Sequence, residues 1–331
     1  MKTKSAFILG VGISFALVLL IAWSATGLGT FRQTLLPDSG PAWYYWKLPN
    51  VTLWATITMW VGYLAHQILC LFFIYKLQHE KHNLQSGKIG KYNVALLIVN
   101  VIFSILHLLQ TRFFYDGLAQ FVSVASSQYS VIIMLVFMLI LLNARRGLFF
   151  GKKAPLSQSV VYGVKKTHGY YISWAIVYTF WFHPMESTWG HLLGFLFMFL
   201  LMLQMSLAYT KIHTEIKWVT VLESFVTIHG TVVALVAGQV LWSMFLFGFA
   251  MMFIVAGMYG VVRHKALRIA FTVAYFAMAV LVYSGVLGTG YQISQIHQIF
   301  WIPATLYGLV FVFAGIYHFA MKLIEKKKTS V

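Results

Sequence analysis

Apolar residues fill this chain in runs of about 20, separated by short clusters of Lys, Arg, Gly, Pro or Asn. A helix rising 1.5 Å per residue needs about 20 such positions to cross a bilayer. Runs of that length predict ten spans, at about 5–24, 52–75, 93–111, 128–144, 167–184, 190–210, 218–238, 241–262, 267–287 and 297–321. The stretch from Trp218 to Val262 is too long for one pass and suits two, with a turn near Gly238 and Gln239. The expected fold is all-α: a polytopic transmembrane helical bundle of about ten spans, forming a single integral membrane domain over 1–331.

The polar positions between the runs carry a second signal. Assigned alternately to two sides, the connections place 21 basic residues on one side and 3 (Arg32, Lys47 and Arg112) on the other. Cytoplasmic loops collect Lys and Arg, so both termini are expected in the cytoplasm, and the membrane is expected to be a bacterial inner membrane. A missed span would scramble this alternation. Met1 to Ala25 also has the basic start and apolar stretch of a signal peptide, but the stretch is longer than usual, which favours a retained first helix. Two connections stand out. The external one, about 27–51, carries Pro37, Pro41 and Pro49 with Trp43, Tyr44, Tyr45 and Trp46, a composition suited to the membrane interface or to a lid. The cytoplasmic one, about 144–166, is basic and suited to anionic headgroups.

Composition sharpens the class. Hydrophobic residues make up 60% and charged ones only 9%, against roughly a quarter charged in a soluble domain. The net charge of +17 is topological here and implies no nucleic-acid partner; the lipid bilayer is the expected surrounding. Cys70 stands alone inside an apolar run, so no intramolecular disulfide forms. Phosphate loops, zinc-protease motifs, nucleophile elbows and voltage-sensor arginines are all absent.

The candidate chemistry lies in 12 histidines set against 7 carboxylates. Ionisable side chains inside a bilayer are costly and so point to function. His107, His183, His191 and His297 fall near outer helix ends and form a candidate metal set, beside Tyr115, Asp116, Met185 and Glu186. Amphipathic imidazoles resting at headgroup depth are the alternative. His66 and His229 fall near mid-span, and His168 and His318 nearer the cytoplasm. His79, His82, His213 and His264 sit in basic loops, where solvation accounts for them. Glu223 is the one carboxylate inside a predicted span, a candidate for proton uptake or quinone contact, or else a side chain snorkelling to the surface.

His168 and His183 are fifteen positions apart on one predicted helix, about 22 Å of rise, and their directions differ by only about 60°. This spacing resembles that of membrane b-type cytochromes, in which one helix ligates a haem near each membrane face. The resemblance covers those two positions alone. It implies haem b, with second axial ligands from His107 or His297 for the outer haem and from His229, His66 or His318 for the inner. Gln67 and Gln298, beside His66 and His297, would then orient ligands or hydrogen-bond between helices.

Four functions compete. A membrane redox protein binding b-type haem, or another His-ligated metal such as zinc or copper, would exchange electrons with quinone or other membrane subunits. A transporter for protons, metal ions or solutes would use the same histidines and Glu223 as titrating sites. A zinc enzyme acting on lipid would need Glu186 or Asp116 as a base. A structural subunit would only pack its histidines.

Overall fold

The computed structural model describes residues 2–35, 46–80, 87–115, 117–236, 238 and 241–329, with side chains to 323 in the last helix. Pro37, Pro41, Trp43, Tyr44, Tyr45, His82, Asp116 and Gln239 lie outside the described residues.

The chain is an all-α polytopic membrane bundle. Its long helices are α1 (Thr3–Ser24), α2 (Leu53–His79), α3 (Lys91–Phe114), α4 (Val124–Arg146), α5 (Gln158–Phe182), α6 (Trp189–Ser206), α7 (Ile216–Val236), α8 (Trp242–Val261), α9 (Lys265–Tyr283) and α10 (Trp301–Thr329). Each coincides with one of the ten apolar runs. Among the described residues, nine are long and apolar enough to cross a membrane. Helix α5 is equally long, but it begins nine residues before the predicted span and carries Lys165, Lys166 and His168. Those residues end an apolar run without ending the helix, because a helix that satisfies its own backbone can extend beyond the bilayer.

Helix starts follow local chemistry. The Thr52 hydroxyl accepts the Ala55 N–H (3.1 Å) at the head of α2, and Thr188 accepts the His191 N–H (3.2 Å) at the head of α6. Asn93 turns back to accept the Gly90 N–H (3.2 Å) at the start of α3. Tyr115, in the left-handed region at φ 47°, ends that helix. Helix α8 holds a π turn at Phe253–Gly257.

The chain divides into two compact units, one of 1–131 with 169–218 and the other of 132–168 with 219–331. In the first, α2, α3, α5 and α6 are stitched by buried polar groups. Asn93 donates to the Ser206 and Ala208 carbonyls (2.7 and 2.9 Å). Asn100 donates to the Ser206 hydroxyl (3.0 Å) and accepts from His66 Nε2 (2.9 Å). Trp181 Nε1 donates to His66 Nδ1 (3.2 Å), and Gly62 makes room for the Trp181 ring, which a Cβ there would approach at 2.3 Å.

The second unit has an apolar core of Phe247, Met251, Ile254, Tyr275, Tyr283, Tyr291 and Ile299. Two phenols are pinned to single carbonyls: Tyr275 donates to that of Phe247 (3.0 Å) and Tyr307 to that of Leu148 (2.8 Å). Part of the basic 144–166 connection is packed into this unit as a hairpin, with Leu148 and Ala154 buried.

Candidate functional site

The six-residue link between α5 and α6, 183–188, concentrates the chemistry of the first unit. Pro184 cannot continue α5, and the Thr188 cap starts α6 four residues later, so His183 and His191 flank one tight connection. Their ring centroids are 5.7 Å apart at an interplanar angle of 85°. Thr188 Oγ1 also meets His191 Nδ1 at 2.8 Å, and the edge of that imidazole contacts Trp46 at 5.0 Å.

The link is held from two directions. From α3, His107 Nε2 donates to the His183 carbonyl (2.9 Å) and Thr111 Oγ1 accepts the Met185 N–H (3.1 Å). From the segment after α1, Arg32 Nε and Nη2 donate to the fully buried Glu186 carboxylate, the closest contact being 2.5 Å. Tyr115 Oη (2.7 Å) and the Ser187 N–H (3.2 Å) add two more donors to it. Burial pushes the Glu186 carboxyl up, but the Arg32 guanidinium and the Tyr115 hydroxyl outweigh it and hold the group below the usual carboxylate range. A carboxylate so saturated is a fastening for the link and a weak proton acceptor.

Of the outer histidines, the structure therefore brings His183 and His191 together. His107 lies beneath them, fully buried against Phe180 and Trp181, with its Nε2 committed to a backbone carbonyl. His297 belongs to the second unit, where it is exposed and its Nδ1 donates to the Ser294 carbonyl (2.8 Å). Among the described residues no three of His, Cys, Asp and Glu converge as a metal-ligand group.

The inner histidines are dispersed. His66 is fully buried and stacked on Phe103, at 4.7 Å between centroids. An indole N–H only donates, so His66 accepts at Nδ1 and donates from Nε2 to Asn100, and both ring nitrogens are engaged. His168 donates Nδ1 to the Lys165 carbonyl (2.8 Å) and falls in the second unit, with the half-buried His229 and His318. Glu223 pairs with Arg146, whose guanidinium also donates to Thr220 (3.4 Å). Gln67 is buried with no hydrogen-bond partner for its amide among the described residues, while Gln298 accepts from Tyr283 (3.4 Å).

Below the histidine pair, aromatic rings continue along α5. Phe182 contacts His183 at 5.0 Å and Tyr178 at 6.4 Å. Tyr178 stacks on Trp174 at 5.2 Å, and Trp174 meets Tyr171 at 5.5 Å. Sequence reading passed over Thr188, Asn100 and Trp181, and took Arg32 only as a loop charge and Trp46 only as a loop aromatic. Two of these carried a usable signal: an Asn within an apolar run, and a Thr three residues before a His at a helix start. No known protein family, characterised protein or solved structure matches this chain.

Proposed function

We propose that this chain is an integral membrane redox protein that holds one transition-metal ion between His183 and His191. The observation that carries the reading is the 5.7 Å separation of those two rings on a link fastened from both sides. Imidazole nitrogens about 2.0–2.1 Å from a shared ion place two ring centroids roughly 5–6 Å apart. Thr188 orients His191 through Nδ1, so ligation falls to its Nε2, the usual arrangement for a ligating imidazole. Copper combines a preference for imidazole with one-electron chemistry, and the Phe182–Tyr178–Trp174–Tyr171 series supports electron movement along α5. The charge bias of the connections supports an outer-face position for the histidine pair in a bacterial inner membrane, and the reading takes a quinone or a neighbouring membrane subunit as electron partner.

The same geometry favours a bare ion over haem b. An axial ligand must present a ring nitrogen to iron, whereas His66 has both engaged. A zinc hydrolase would want a basic carboxylate, and Glu186 is held ionised by Arg32. A proton relay from His66 by way of Trp181 is closed, since an indole N–H cannot accept a proton from the next group.

The test is metal loading of purified, metal-stripped protein with Cu(II), followed by electron paramagnetic resonance. We expect one ion per chain with nitrogen coupling, and about tenfold or greater loss of affinity in His183→Ala and in His191→Ala. Binding unchanged in either variant would sink the assignment. A Soret band that shifts on reduction would restore haem, and a colourless, metal-indifferent protein with pH-dependent uptake would mean transport.

A further inference from the structure

A separate feature of the second unit, independent of the metal reading, points to a ligand. Residues 147–154 form a short hairpin in which Phe149 and Lys152 exchange backbone hydrogen bonds (3.1 and 2.8 Å). It is rigidly mounted. Asn143 bonds Ala154 reciprocally (2.7 and 3.1 Å), and the Phe150 N–H reaches the Val255 carbonyl (2.8 Å) in the π turn of α8. Phe150 itself sits at φ 50°, a conformation costly for a bulky side chain, and its ring is 55% exposed at the tip beside exposed Lys152 and Lys153.

The tip rests on Tyr259. The Phe150 ring meets the Tyr259 ring edge-on at 6.1 Å, and the Arg268 guanidinium lies over the same Tyr259 ring at 4.9 Å. Arg268 has no carboxylate partner among the described residues, and its Nε is buried without a hydrogen-bond acceptor. The Arg268 guanidinium thus lies over the same ring that the hairpin tip touches, and the exposed Lys152 and Lys153 belong to that hairpin. The exposed apolar side chains of Leu267, Ile269 and Phe271 flank Arg268 on α9.

We propose that Arg268, together with Lys152 and Lys153 of the hairpin that packs on Tyr259, binds the phosphate of an anionic phospholipid whose acyl chains lie along α9. Guanidinium matches phosphate oxygens with a two-donor fork, and basic pockets beside transmembrane helices take anionic headgroups. The apolar flank distinguishes a lipid from free phosphate, which would gain nothing from Phe150 or Ile269.

The experiment is native mass spectrometry of the full chain in detergent, titrated with phosphatidylglycerol and with phosphatidylcholine of identical acyl chains. Wild type should retain phosphatidylglycerol at roughly tenfold lower concentration. The Arg268→Gln/Lys152→Gln/Lys153→Gln variant should lose that preference, while its phosphatidylcholine binding stays. Equal retention of the two lipids by wild type overturns the proposal without any variant, and so does a preference that survives the triple substitution. Inorganic phosphate is the third arm: if it raises the unfolding temperature as much as phosphatidylglycerol does, the site takes a free anion and the lipid assignment falls.

Discussion

The two units bury polar groups to different extents. In the first, His66, Asn100, Asn93, Ser206 and Trp181 bond one another or nearby backbone across four helices. In the second, Tyr275 and Tyr307 each reach one backbone carbonyl, of Phe247 and Leu148, and one short chain, Ser243–Tyr283–Gln298, joins side chains. A shared network couples the positions of its helices, because moving one leaves several groups unpaired at once. Isolated phenol contacts fasten one point each. The difference teaches why the histidine pair lies where it does: the link that carries it is fixed by the networked unit, through His107, Thr111, Tyr115 and Glu186.

The sharpest way to break this contrast is Glu186→Ala, which strands Arg32 and Tyr115 together. Its cost should be roughly 2–4 kcal/mol, below that of a fully buried pair because Arg32 keeps 38% of its side-chain exposure. The same carboxylate sets a pH dependence. Its folded-state acidity is stronger than that of the unfolded chain, so its contribution is full above about pH 4.3 and is lost as pH falls through the lower folded value. Unfolding midpoints in detergent should fall across that window for the wild type, and Glu186→Gln should remove this component.

A matched pair of glycines comes next. At Gly62 an added methyl meets the Trp181 ring, which is 1% exposed and held by His66, so Gly62→Ala should cost about 1–3 kcal/mol. At Gly163 the obstacle is the outer end of Tyr317, a half-buried phenol able to swing away, and Gly163→Ala should shift stability by under about 1 kcal/mol. Comparable penalties at the two sites would erase the contrast in rigidity. Within the network, Asn100→Ala removes the acceptor of His66 and a donor to Ser206, and about 1–2 kcal/mol should follow. Little or no change in thermal unfolding would mean that the polar chain holds nothing.

The span count was legible because lipid demands unbroken apolar length, and each of α1 to α10 meets a predicted run. The start of α5 was not, since Lys165 and Lys166 mark where a bilayer could end and say nothing of where hydrogen bonding does. At the site, proximity of His183 and His191 was implicit in a connection of six residues. The Arg32–Glu186 pair was hidden, its partners being 154 positions apart and brought together only by tertiary packing. His107 shows a third case: its position near the end of its helix was legible, while the direction of its Nε2, towards a carbonyl, depends on a neighbouring backbone that no pattern encodes.

The π turn in α8 has an evolutionary corollary. Such a turn carries one residue more than the α-helical path, and the surplus leaves the Val255 carbonyl turned out to meet Phe150. A single-codon deletion within Phe253–Gly257 would restore the regular ladder, recapture that carbonyl and orphan the Phe150 N–H more than a hundred positions upstream. The insertion and the hairpin are therefore expected to be gained and lost together in descent, so that homologues lacking the extra residue should also lack the 147–154 hairpin.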